Sequence, residues 1–564
     1  MVKKAAVETV ENTVNEMVTD LVTRAQRALA ILETFDQAKI DNIVHQMAIA
    51  GLDQHMALAK MAVEETGRGI YEDKAIKNIF ATEEIWNAIK DNKTVGVIEE
   101  DPEHGITKIA EPVGVIAGVT PVTNPTSTTI FKAEIAIKTR NPIIFAFHPS
   151  AQRCSAEALN VIKAAAVKAG MPADALLYIE EPSIAATQSL MNHEGVATVL
   201  ATGGPGMVKA AYSTGKPALG VGAGNAPAYI EASANIKQAV NDLILSKSFD
   251  NGMICASEQA VIVDAEIYTA VKKEFQAQGV YFAKPSELSA LNDAVIDPDK
   301  NAVRPSIPGQ SAAKIAKLAG IDIPEDTPVL IAEIKGVGHQ YPLSHEKLSP
   351  VLAMIKAKDR EDGLQLCEAM LDLGGLGHTA SLHTTDEALP LEFAKRMKAC
   401  RVLVNTPSAQ GGIGDLYNDM LPSLTLGCGS YGHNSISHNV STIDLLNVKT
   451  LTKRRNNMQW VKLPSKIYFE KNSVNYLEKM ADLHKVFIVA DQGMVDLGYV
   501  QIVEDVLARR TDQVQVQIFA DVEPDPSTDT IYKGAEVIKR FKPDTIVAIG
   551  GGSDKDPAKA SWLF

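Results

Sequence analysis

The sequence lacks any run of about eighteen apolar residues, the length a helix needs to cross a bilayer, so no spanning segment is expected. Its start, MVKKAAVETVENTVNEMV, reads as an amphipathic polar helix and lacks the apolar stretch of a signal peptide. Cysteine is sparse. The five residues, at positions 154, 255, 367, 400 and 428, are scattered, odd in number and without CxxC spacing, so neither a disulfide framework nor a zinc site follows. Positive charge is in deficit: the formal net charge of −14 argues against nucleic acid or an anionic membrane as the main partner. These absences point to a cytoplasmic protein. With 46% hydrophobic and 22% charged residues, the composition is that of an ordinary globular protein, and 564 residues are too many for one core. Two or three domains are expected.

Residues 5 to about 95 read as helices, with apolar positions at three-to-four spacing such as Ile40, Ile43, Val44, Met47 and Ala48. From Val113 short apolar runs (113–119, 142–147, 196–201) alternate with helical stretches such as 155–169. That alternation is the mark of an α/β fold, a parallel sheet with helices on both faces. Ligands of such sheets sit beyond the C-terminal strand ends, where three loops fall: TPVTNPT (120–126), FHPS (147–150) and TGGPG (202–206). None is GxGxxG, and TGGPG reads equally as a tight turn or a phosphate approach. Asn124 in TNPT reads by default as an Asx-turn before Pro125, and His148 as a turn histidine. A second α/β unit is expected from about Ala256 to Leu424, with strands near 260–263, 329–331 and 351–355, Glu346 in HEKLSPV and a loop GGLGH at 374–378. The basic, polar tract 447–465 reads as a linker. Strands then resume at 486–490, 514–519 and 545–549, the last running into Gly550-Gly551-Gly552-Ser553, a strand, glycine loop and helix start that can cradle a phosphate.

The stretch SKSFDNGMICASEQ (246–259) organises the rest. Asn251-Gly252 predicts a turn and the run after Cys255 a helix, which would place the thiol at a helix N-terminus. There the dipole and free N–H groups lower a thiol pKa and make a working nucleophile. The competing reading is a buried structural cysteine. Cys428, in the glycine- and serine-rich segment TLGCGSYGHNSIS (425–437), is a rival nucleophile ranked lower because no helix is expected after it.

The motifs TNPTSTTIFK, HPSA, ATGGPGMVKAAYSTGKPALGVGAGN, FDNGMICASEQ, HEKLSPVLA, TPSAQGGIGDLYN and TLGCGSYGHNSIS together resemble the aldehyde dehydrogenase superfamily. The resemblance is strongest to the bifunctional acetaldehyde-CoA/alcohol dehydrogenases of fermenting microbes, and GGGSDKDPAK is similar to the GGGSxxDxAK pattern of iron-dependent alcohol dehydrogenases. It implies an acylating aldehyde dehydrogenase unit over residues 1–448, with a Rossmann-type NAD-binding part to about 250, a catalytic part over 251–424 and a return segment over 425–448. A linker over 449–466 and the opening part of an alcohol dehydrogenase domain over 467–564 follow. It implies Cys255 as nucleophile and Asn124, with the Cys255 N–H, as oxyanion holder. It places Glu346 at the nicotinamide ribose, Thr202, Gly203, Gly204 and His148 beside the dinucleotide, Gly550, Gly551, Gly552 and Ser553 at a second cofactor and His378 near substrate. NAD is the implied cofactor and coenzyme A the co-substrate. Homo-oligomers are implied too, filaments in full-length relatives, with neither nucleic acid nor membrane as a partner.

Hydrolytic relatives use a glutamate to activate water where Gly220 stands here. Without a base, thiolysis by coenzyme A is favoured over hydrolysis, since a thiol supplies some thiolate unaided. The family's iron ligands, one Asp and three His, belong downstream of the GGGS segment, and the chain runs only fourteen residues past Gly550. Neither iron nor alcohol dehydrogenase activity is therefore expected here, and Pro557 departs from the small residue usual before Ala558-Lys559. A hydrolytic aldehyde dehydrogenase and a mainly structural filament subunit remain the alternatives.

Overall fold

Amphipathic periodicity over the first ninety-odd residues builds helices Val2–Leu32, Gln37–Asp53, His55–Thr66 and Tyr71–Ile79, continued through a wide turn into Ile85–Ile89. The computed structural model describes residues 2–222, 224–454 and 464–563. The chain divides into two compact units, Met1–Arg455 and Asn456–Phe564.

The first unit holds two parallel sheets. One has five strands in the order Leu176–Tyr178, Ile143–Ala146, Ile116–Val119, Thr198–Thr202, Ala218–Val221. The chain winds outward from Ile116–Val119 and then returns to its other side, so the order reverses between that strand and Thr198–Thr202. At such a switch point two strand ends open a crevice. Helix Pro125–Lys138 packs there with all its residues buried, including Lys132, whose Nζ donates to the carbonyls of Val119 (2.6 Å) and Leu200 (2.9 Å). Proline at its first position pre-sets the helical φ and costs no hydrogen bond, so Asn124 becomes the N-cap.

The other sheet has seven strands, ordered Tyr281–Phe282, Leu330–Ile334, Val351–Ala357, Glu258–Asp264, Ala226–Ile230, Gly377–His383, Ala399–Val404, all parallel. It begins at Ala226, thirty residues earlier than the expected start near Ala256. Residues 374–378 are not a loop throughout: Gly377 and His378 open a fully buried strand. A third, antiparallel sheet pairs Gly96–Asp101 with Ile106–Pro112 and the latter with Leu446–Thr452. Residues 449–452, expected in the linker, are therefore strand; 455–463 lie outside the described residues.

The second unit has a parallel sheet ordered Gln515–Phe519, Lys485–Ala490, Thr545–Ile549, followed by helix Gly552–Trp562. Among the described residues no helix is long and apolar enough to cross a membrane.

Candidate active site

The crevice at the switch point is a cavity of about 720 Å³, the size of a small-molecule site. Its walls include Thr120–Asn124 beyond one central strand, His148 and Ser150 beyond the next, and Thr202, Gly203 and Gly204 beyond the third. Met253 and Cys255 enter from the seven-stranded side, with Glu346 and Leu348. Five stretches spread over more than two hundred residues thus meet at one place.

Cys255 is half-buried, in a turn that runs directly into strand Glu258–Asp264. The expected helix after it is absent, and with it the dipole that was to lower the thiol pKa. Burial instead pushes the thiol up to about 12; the Glu346 carboxylate adds to this and the Arg401 guanidinium opposes it. The strand wins because its polar opening residues are satisfied by tertiary bonds. Glu258 accepts from Ser246 Oγ (2.5 Å) and the Ser408 N–H (3.0 Å), and Gln259 Oε1 accepts from the Lys347 N–H (3.0 Å). Backbone beside the thiol is packed to contact: a Cβ on Gly224 would lie 2.1 Å from the Cys255 carbonyl oxygen.

Asn124 makes no capping bond to its own helix. Its Oδ1 accepts from Lys77 Nζ at 2.7 Å and its Nδ2 donates to Thr123 Oγ1 at 3.2 Å, leaving a second N–H. Glu346 Oε1 accepts the Gly224 N–H at 3.0 Å. Burial raises its carboxyl to about 7 against that bond and the charges of Lys247 and Lys347. Among the described residues lining the cavity, Glu346 is the one carboxylate. Leu348 is held at φ 45°, a left-handed backbone that a leucine rarely adopts.

The Thr202–Gly204 turn precedes helix Pro205–Tyr212, with Gly204 as N-cap; a Cβ there would meet nothing within 4 Å, so the turn offers open backbone to a ligand. His148, at the rim, accepts the Ser150 N–H at its Nδ1 (3.1 Å). His378 does not line the cavity. It is fully buried behind Gly224, Nδ1 against Thr379 Oγ1 at 2.9 Å and Nε2 without a protein partner, and burial holds its pKa well below the usual range. Cys428 is buried too, its Sγ 3.4 Å from the Leu426 carbonyl. A Cβ on Gly220 would point at Tyr212 and Val208, not into the cavity, where Val221 and Gly222 stand instead.

Several residues that shape the site were not anticipated. Lys74, Lys77 and Asp250 form a buried ion cluster beneath Asn124. Arg401 is buried with its Nη1 on the Gly427 carbonyl and Nη2 on the His378 carbonyl, both at 2.8 Å. The spacing of Lys74 and Lys77 on one helix face was a visible signal, though a solvated face carries the same one.

In the second unit the strand, glycine loop and helix occur as expected around Gly550, whose φ is 137°. The N-cap is Gly551, so Pro557 lies in the helix interior, where it forfeits a hydrogen bond. Asp554 fills the loop: its Oδ2 accepts the Gly551 N–H at 3.0 Å and its side chain is buried.

The sequence model of the aldehyde dehydrogenase family matches residues 2–290. The chain belongs to the aldehyde dehydrogenase family. Residues 464–564 match the model of iron-containing alcohol dehydrogenase. Among curated proteins, the chain is 55% identical over 561 residues to aldehyde-alcohol dehydrogenase 2 of Entamoeba histolytica, covering 98% of this chain and 64% of that protein. It thus spans a little under two thirds of that relative's length. Among solved structures, an acetylating aldehyde dehydrogenase from Geobacillus thermoglucosidasius is 45% identical, with a TM-score of 0.77, over 81% of this chain and 99% of that one. Propionaldehyde dehydrogenase of Rhodopseudomonas palustris, solved with bound propionyl-CoA, is 28% identical with a TM-score of 0.69, over 77% and 94%.

Proposed function

We propose that this chain is an NAD-dependent, CoA-acylating acetaldehyde dehydrogenase: acetaldehyde, coenzyme A and NAD give acetyl-CoA and NADH. The observation that carries the reading is the meeting of Cys255, Asn124, Glu346 and the open Thr202–Gly204 turn around one cavity. The acetylating and propionyl-CoA-bound relatives support the acyl acceptor. The cavity fits a dinucleotide: Gly203 and Gly204 offer backbone at a helix start, His148 stands at the rim, and Glu346 offers a buried acceptor for ribose hydroxyls. NAD, when bound, supplies the hydride acceptor and a positive ring charge that favours the Cys255 thiolate.

Cys255 Sγ bonds to the aldehyde carbon while the remaining Asn124 N–H and the Cys255 N–H hold the charge developing on oxygen. Once that carbon has lost its hydride, Sγ carries an acyl thioester. The coenzyme A thiolate then bonds to the acyl carbon and Cys255 leaves as thiolate. His378, expected near substrate, is buried behind Gly224 outside the cavity and takes no direct part in this reading. Hydrolysis is disfavoured in this reading because water needs a base, and the one carboxylate among the described lining residues, Glu346, is given to the ribose. Gly550, Gly551, Gly552 and Ser553 are the phosphate-facing backbone of the second unit in the same reading, with the buried Asp554 carboxylate weakening anion binding there. Among the described residues no three His, Cys, Asp or Glu side chains are grouped to hold an ion. Cytoplasmic residence fits the scattered free cysteines. Association with copies of itself fits the half-exposed Val97, Val448 and Leu451 of the three-stranded sheet.

The test is rapid-quench measurement of NADH from acetaldehyde with and without coenzyme A. Without it, roughly one equivalent per Cys255 should form and then stall, general-base help to water being worth ~10²–10⁴-fold. Adding coenzyme A should restore turnover and yield acetyl-CoA. A steady rate without it, accompanied by acetate, would favour the hydrolytic reading.

A further inference from the structure

Helix Tyr71–Ile79 sends two lysines, one turn apart, into the protein between the loops that carry the chemistry. Lys74 Nζ donates to the Thr123 carbonyl at 3.1 Å and to Asp250 Oδ2 at 3.0 Å. Lys77 Nζ donates to the same Asp250 oxygen at 2.5 Å, to Asn124 Oδ1 at 2.7 Å and to the Met253 carbonyl at 3.3 Å. Both side chains and Asp250 are buried. Asp250 is itself fixed: its Oδ1 accepts the Ile70 N–H at 2.8 Å, its own N–H donates to Asp73 at 2.7 Å, and its backbone is held at φ 47°.

We infer that Lys77 is the positioning residue of the oxyanion site, holding the Asn124 amide with its oxygen turned away from substrate and tying it, through Asp250 and Met253, to the nucleophile loop. The inference rests on the role given to Asn124 above. A side-chain amide can sit in two orientations of almost the same shape, and only one presents N–H groups to an oxyanion. An ammonium has donors and no acceptor, so it pairs only with the amide oxygen and decides the orientation. Neutralising Asp250 does not require Lys77, because Lys74 already does so. What Lys77 adds is the bond to Asn124 and the bridge to Met253, two residues before Cys255. The charged groups facing it are Asp250, with Lys74 and Asp73 of its own helix, and the Phe249 ring lies 5.6 Å from its Nζ. Burial lowers its pKa to about 8 against the pull of Asp250.

The test is a double-mutant cycle on steady-state NADH oxidation with acetyl-CoA. Lys77→Met, which leaves Asp250 paired with Lys74, should lower kcat by ~10²-fold, as loss of an oxyanion donor does. KM for NADH should change less than about threefold and the thermal midpoint should hold. In the Asn124→Ala background the same change should cost less than about threefold, since its effect passes through Asn124. An equal loss in both backgrounds, or kcat within about threefold of wild type for Lys77→Met alone, overturns the proposal. Full activity in Asn124→Ala alone overturns the oxyanion role of Asn124 and this inference with it. Should Lys77→Met fail to fold, Lys77→Gln replaces it in the cycle. Because its amide can still donate to Oδ1, it should keep kcat within about tenfold of wild type, and a loss as large in the Asn124→Ala background as in wild type overturns the proposal.

Discussion

At the scale of single residues, the decisive quantity is the protonation of Cys255. Burial pushes the thiol up to about 12, which disfavours the thiolate at physiological pH. The sign is testable. Raising the pKa depletes thiolate at any lower pH, so iodoacetamide alkylation of Cys255 without cofactor should quicken about tenfold per pH unit between about pH 7 and 10, with no plateau. A plateau near pH 8 would mean that the thiol is not raised, and NAD should speed the reaction at fixed pH. Cys255→Ala should abolish acyl transfer, whereas Cys428→Ser should retain most of it because Cys428 is buried outside the cavity. Turnover surviving in Cys255→Ala would remove the nucleophile assignment.

At the scale of elements, close backbone approach sets the tolerances. Gly224→Ala would push a methyl into the Cys255 carbonyl, and overpacking of this kind costs ~1–3 kcal/mol. We expect a lower thermal midpoint and a loss of turnover of about 10²-fold from displacement of Cys255. Gly204→Ala has free space and an ordinary φ, so stability should stay within about 0.5 kcal/mol while KM for NAD rises. What the sequence made legible at this scale follows from the same physics. Residues 116–119, 143–146, 351–355 and 486–490 are continuous apolar runs within their strands, and buried parallel strands read that way. Ala226–Ile230 was missed because Pro227 argues against a central strand; the register shifts at Ala226/Pro227, where a missing N–H is tolerated. Cys255, Asn124, Glu346 and the 202–204 turn were singled out through motifs, and all of them line one cavity. The helix after Cys255 was wrong because Ser246, Ser408 and Lys347, distant in sequence, satisfy a polar strand start. Lys77 was not singled out because its spacing with Lys74 reads equally as a solvated face, and its partners Asp250 and Asn124 are supplied only by the fold.

At the scale of the whole molecule, the return strand Leu446–Thr452 marks where the first unit can be cut. It pairs seven residues with Ile106–Pro112. A chain ended after residue 454 should keep acyl transfer and the thermal midpoint of the first unit. One ended after residue 445 should expose an unpaired strand edge and lose solubility, as light scattering on heating would reveal. Equal behaviour of the two would show that the strand contributes nothing.

That pairing also has a history in time. Asn447 bonds the Pro112 carbonyl across 335 residues of chain. At a synthesis rate of about 5–20 residues per second, the Ile106–Pro112 edge waits roughly 15–70 s on the ribosome before its partner has been made. Throughout that interval the nascent hairpin carries an open row of N–H and C=O groups, free to pair with the hairpin of a neighbouring nascent chain. Slow decoding between residues 112 and 446 would lengthen the exposure, and a chaperone that covers strand edges would matter most there.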